Sequence, residues 1–143
     1  MSQENFVPYP FYWDDAPLDL SFLYEHEKPA GKHGFLKCDG DRFIFEDGTE
    51  ARFWGVNFNS GACFPPLDKS EIIAKRLAKF GVNIVRLHQM DAHWANPNIF
   101  QVSKGKRLAN TQSLDPESMK RLDYLIYCLK NEGIYIYMDL LTY

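Results

Sequence analysis

The chain is short of the features that mark a membrane-spanning, disulfide-stapled or nucleic-acid-binding protein. Its three cysteines, Cys38, Cys63 and Cys128, are widely spaced and include no C-x-x-C pair. An odd number at such spacings suggests neither a disulfide framework nor a cysteine-held zinc, and the three read as small core or loop residues. No window approaches the ~20 apolar residues of a membrane span. Met1 to Pro10 lacks the basic-then-apolar order of a signal peptide, which leaves the compartment open. A run of Lys or Arg is missing too, and the net charge is -3. There is no footprint for a polyanion, so nucleic acid is not expected as a partner, and neither is a membrane.

What is present is an ordinary globular composition, 45% hydrophobic and 24% charged over 143 residues, the size of one domain. The aromatic share is high at 15%. Aromatics supply core area and also flat faces for sugar rings or bases, and composition does not choose between these uses.

Residues 1–34 are rich in Pro and aromatics and show neither helical nor alternating period, which predicts an extended arm. Phe6, Tyr9, Phe11, Tyr12 and Trp13 would strap a neighbouring surface, or Trp13 would stack on a sugar. From Phe35 short alternating stretches are split by Asp39-Gly40 and Asp47-Gly48. These pairs predict hairpin turns and a small antiparallel β-meander over 35–52.

The remainder, 53–143, reads as alternating strand and helix. A helix is predicted from Asp68, with Asp68 and Glu71 as a capping box and Ile73, Ala74, Leu77 and Phe80 as the buried stripe. A second follows Asp115-Pro116, with Met119, Leu122, Leu125, Ile126 and Leu129 inward. Gly81 and Gly133, 52 residues apart, end the two helices, and each leads at once into a strand, GVNIVRLH or GIYIYMD. That βα repeat favours parallel crossover pairing.

Alternation then assigns faces. Trp54, Val56 and Phe58 share one face of the first strand, with Asn57 and Asn59 on the other; Val85 and Leu87 oppose Arg86 and His88; Ile134, Ile136 and Met138 oppose Tyr135, Tyr137 and Asp139. The expected fold class is α/β: a partial (β/α)8 barrel of three strands and two helices, preceded by the arm and the meander. Polar groups at the C-terminal ends of such strands are where barrel chemistry collects.

The strings FWGVNFN, GVNIVRLHQMD and GIYIYMDL, in that order and behind the leader KHGFLKCDGDRFIFEDGTEARFWGVN, resemble the opening of the cellulase-like glycoside hydrolases, which are retaining (β/α)8-barrel enzymes. The likeness spans roughly residues 35 to 143. It implies a carbohydrate substrate and no cofactor. It also implies that Arg86 stands where the family's second strand carries an arginine beside the nucleophilic carboxylate. The family's catalytic glutamates follow the fourth and seventh strands, so none is assigned within this chain, which is expected to be inactive alone.

Among the residues themselves, Arg86 would hold a carboxylate ionised and oriented. His88 would bond a sugar hydroxyl, orient a carboxylate, or sit as a satisfied rim histidine. Asn57 is expected to line the site. Asp139 is expected at its rim, and Trp94, in the long loop Gln89 to Thr111, either stacks on a sugar or plugs the loop. His88, Asp91 and His93 form an H-x-x-D-x-H string, yet they straddle a strand end and a loop, and no metal site is assigned. Three parallel strands would leave open edges, a template for association of copies of the chain. The other readings are a non-catalytic carbohydrate-binding module and a structural or interaction domain.

Overall fold

The computed structural model describes residues 18–103, 106–107 and 111–139. Phe6, Tyr9, Phe11, Tyr12 and Trp13 of the arm lie outside them. Among the described residues the fold is mixed α/β: a three-stranded antiparallel sheet, a three-stranded parallel sheet with its two helices, and a two-stranded pair in a loop.

The arm expected to be extended is helical in part. Ser21–Glu27 forms 3-10 turns that kink at Tyr24, where φ is -117° and ψ 18°. Its backbone reaches the ends of both helices, since the Leu20 N–H bonds the Lys79 carbonyl and the Ala30 N–H bonds the Lys130 carbonyl, each at 2.9 Å. Helix termini carry unmatched carbonyls, and this strap satisfies two of them.

The meander follows as β1 (Leu36–Asp39), β2 (Arg42–Phe45) and β3 (Glu50–Ala51), all antiparallel. Asp39 pairs with Arg42, so the first turn is Gly40-Asp41, one residue later than the Asp-Gly pair suggested. Of its two residues only Gly40 has positive φ (+63°), whereas a type I′ turn requires both. Phe45 stacks on Tyr135 (5.3 Å between centroids) and Phe53 meets the same ring edge-on (5.6 Å), which docks the meander onto the parallel sheet.

The parallel sheet comprises β4 (Gly55–Asn59), β5 (Ile84–His88) and β8 (Tyr135–Met138), adjacent in chain order. Between them run α1 (Leu67–Lys79), the loop pair β6 (Val102–Ser103) and β7 (Lys106–Arg107), and α2 (Pro116–Asn131). The strands are shorter than the alternating runs in the sequence and form an open sheet, not a closed barrel. Gly81 and Gly133 adopt positive φ (+72° and +78°), as the βα repeat requires.

Capping divides the two helices. Asp115 Oδ1 accepts the Ser118 N–H at 2.8 Å and Pro116 fits the first turn, as expected for α2. In α1 the expected capping box is absent: Pro66 occupies the N-cap, and Asp68 falls inside the first turn, where its charge faces the positive helix end instead. Glu71 pairs with Lys75 at 2.6 Å, one turn on.

The core lies between the helices and one face of the sheet. Val85, Leu87, Leu125, Leu129 and Ile134 are completely or almost completely buried, with Ala74 and Ala78 allowing α1 close approach. Phe80, expected in that stripe, is 37% exposed, with the Arg76 guanidinium 5.5 Å from its ring centre. Cys63 and Cys128 are buried, and burial raises both thiols, Cys63 to about 11.

Asn83, just before β5, ties the sheet together and was not singled out by the sequence pattern. Its Oδ1 accepts the Trp54 N–H and its Nδ2 donates to the Arg52 carbonyl, both at 2.7 Å. Its own N–H bonds the Trp54 carbonyl (3.0 Å), and its carbonyl accepts the Tyr135 N–H (2.9 Å). One buried residue therefore reaches both neighbouring strands, β4 through its side chain and β8 through its backbone. Asn83→Ala strands the partners of that side chain and should lower unfolding free energy by about 1–3 kcal/mol in urea titrations. An unchanged midpoint would show that water substitutes fully for the side chain.

Candidate functional site

In the parallel register Asn57, Arg86 and Tyr137 form one row across the sheet, with Asn59 and His88 paired in the next. All lie on the face opposite Val85, Leu87 and Ile136, which belong to or pack on the core. The alternation read from the sequence thus holds at Phe58, Val85, Leu87 and Ile136, while Trp54, Val56 and Met138, expected on the same apolar face, are exposed; it brings polar side chains to the C-terminal ends of the strands.

Asp139, directly after β8, is the hub of this rim. Arg86 donates to it twice, Nε to Oδ1 at 3.3 Å and Nη2 to Oδ2 at 2.7 Å. The Nδ1 of His88 makes a short contact with the same Oδ2, and the Arg86 Nη2 lies 3.1 Å from that nitrogen. The Asp139 N–H bonds the Leu87 carbonyl at 3.2 Å, which fixes the residue beside β5. A carboxylate sharing both oxygens with a guanidinium and an imidazole is well oriented.

The hydrogen bond from Arg86, then that from His88, holds the Asp139 carboxyl below the usual carboxylate range. The Asp139 side chain is 10% exposed, against 45% for Arg86, so the acid is covered while the guanidinium faces solvent. The Arg86 guanidinium carbon also lies 5.9 Å from the Tyr137 ring centre, and this ring is 56% exposed. Positive and negative charges cancel within the cluster. What remains open is a neutral surface of hydrogen-bonding groups and one aromatic ring.

Of the residues predicted for the site, Arg86, His88 and Asp139 are joined directly, and Asn57 lies in their row, exposed. Trp94 is 54% exposed on the loop after β5 and takes no part in the cluster's hydrogen bonds. That loop is held by the buried Asn98, whose Nδ2 donates to the Ala92 carbonyl at 2.8 Å and whose Oδ1 accepts the Phe100 N–H at 2.9 Å. No group of three or more His, Cys, Asp or Glu side chains among the described residues could hold a metal ion. The sequence pattern places Tyr137 only on the face of Asp139, and its contact with Arg86 is the addition that the register makes legible.

Searches against family models, curated proteins and solved structures find no match to this chain. The functional reading therefore rests on residues and geometry.

Because the folded state lowers the Asp139 pKa, its charge stabilises the fold above the unfolded carboxyl value near 3.9, and that contribution fades as pH falls through the lower folded value. Asp139→Asn should therefore be less stable than the parent at about pH 7, with the gap narrowing below about pH 4. Paired urea melts across that range provide the check, and a pH-independent gap would contradict the ionic hub.

Proposed function

We propose that the polar rim of the parallel sheet is one wall of a neutral-carbohydrate site in a retaining glycoside hydrolase, with β4, β5 and β8 as the first three strands of its (β/α)8 barrel. The observation that carries this reading is the Asp139 hub, which follows β8 and joins that strand's C-terminal end to Arg86 and His88 of the adjacent parallel strand β5. Support also comes from the chain order of the strands and from the hydrogen-bonding residues Asn57 and Asn59 beside them.

The chemistry sets roles. Retaining hydrolysis requires a carboxylic acid to protonate the leaving oxygen and a carboxylate nucleophile, about 5 Å apart. A general acid benefits from a raised pKa, whereas Asp139 is lowered and engaged through both oxygens, so it suits positioning rather than proton transfer. Arg86 and His88, aimed by Asp139, would present donors to sugar hydroxyls or to a neighbouring carboxylate. The acid/base and nucleophile are not assigned to any described residue. In this reading the segment binds sugar without cleaving it.

The runner-up, a non-catalytic carbohydrate-binding module, is favoured by the exposure of Trp54 (68%) and Trp94 (54%). We also propose that copies of the chain associate through the outer edges of β4 and β8, each of which has one strand neighbour among the described residues. Light scattering that shows a monomer at every concentration would refute that association.

Titration of the protein with neutral β-1,4-linked glucan, mannan and xylan hexasaccharides, followed by amide NMR, tests the main reading. Saturable shifts are expected at Asn57, Arg86, His88 and Tyr137, with affinity at least about tenfold lower in Arg86→Lys, which keeps the charge but loses the planar fork. Shifts centred on Trp94 and lost in Trp94→Ala would select the binding module. No saturable shift at millimolar sugar would overturn both.

A further inference from the structure

At the other end of the same sheet a carboxylate is buried without a Lys or Arg side chain to match it. Glu27, on the 3-10 segment, has a side chain only 9% exposed. Its Oε2 accepts the Tyr135 hydroxyl at 2.8 Å. Its other neighbours are imidazoles: His26 Nε2 lies 3.3 Å from Oε1, and His33 Nε2 lies 3.5 Å from Oε2. That His33 nitrogen is buried and makes no hydrogen bond, while the opposite nitrogen of the ring is 2.5 Å from Asp47.

No Lys or Arg among the described residues forms an ion pair with Glu27. Lys28, next in sequence, pairs with Glu25 at 3.0 Å and Glu132 at 2.9 Å, and Arg52 pairs with Glu50 at 2.9 Å. A carboxylate removed from water is costly unless charge or several donors compensate it. The neighbouring Tyr135 registers the same environment, since burial and then the hydrogen bond to Glu27 push its hydroxyl up to about 12.

Beside Glu27 is a cavity of about 170 Å³, whose lining includes Tyr24, Phe45, Phe53 and Tyr135. Apolar rings beside a carboxylate suit a small organic cation, the anion attracting its charge and the rings covering its apolar part. Glu50 and Arg52, also in the lining, pair with each other, which leaves Glu27, with His26 beside it, as the lining carboxylate that has no Lys or Arg partner. The space is below the ~300 Å³ of ordinary ligand pockets, so the guest must be small.

The geometry points to this cavity as a binding site for a small primary alkylammonium ion, its ammonium group on Glu27 and its short apolar chain against the rings. Four residue steps separate Tyr135 from Asp139, roughly 13 Å along an extended strand, so the site stands apart from the carbohydrate reading of the rim.

Propylammonium chloride is the probe, titrated into the full chain by calorimetry, with ring resonances of Phe45 and Tyr135 locating the event. Saturable binding is expected, and 1-propanol, the neutral analogue of the same shape, should bind at least about tenfold more weakly. Glu27→Gln should weaken propylammonium by a similar factor. Equal binding of the alcohol would reduce the cavity to an apolar hole and overturn the assignment; so would unchanged affinity in Glu27→Gln, or no saturable binding of propylammonium. If Glu27→Gln fails to fold, the ammonium-to-alcohol comparison on the parent decides alone.

Discussion

The register of the parallel sheet is the constraint on which the rest depends, and one buried side-chain amide anchors it. Asn83 bonds backbone groups at Arg52 and Trp54 through its side chain, and its own carbonyl takes the Tyr135 N–H. A slip of one residue would turn Arg86 toward the helices and Val85 toward solvent, exchanging core for rim along the strand. With the register held, Arg86 and Tyr137 fall in one row and Asp139 can reach both Arg86 and His88.

The two ends of the sheet put opposite electrostatics on one face. At the C-terminal end a carboxylate is answered by a guanidinium, so the exposed surface is neutral and polar. Toward the N-terminal end a carboxylate is covered by aromatic rings and has only a hydroxyl and imidazoles for company. The meander makes this difference, because Phe45 and Phe53 close over Tyr135 and leave Tyr137 uncovered.

Much of this was legible because periodicity is local. Alternation assigned Val85 and Leu87 to one face and Arg86 to the other, and the paired Gly81 and Gly133 marked where helix becomes strand. Asp115 capped α2 as its position before Pro116 suggested. The failures came where a distant partner or a single backbone angle decided the outcome. Pro66 took the cap expected of Asp68, the first hairpin turned one residue late, and part of the arm coiled so that its backbone could meet helix ends. Asn83 and Glu27 were invisible because each acts on residues far away in sequence: nothing beside Glu27 announces Tyr135, 108 positions later.

The three thiols are not equivalent. Cys63 and Cys128 are sequestered in the interior and hold their protons well into alkaline solution, whereas Cys38 lies exposed on the first strand of the meander. At neutral pH an alkylating dye therefore meets one native address without any mutation. That address lies on the module that roofs the Glu27 cavity, so a fluorophore placed there would report the seating of the roof while leaving the helical core and the Asp139 rim chemically untouched.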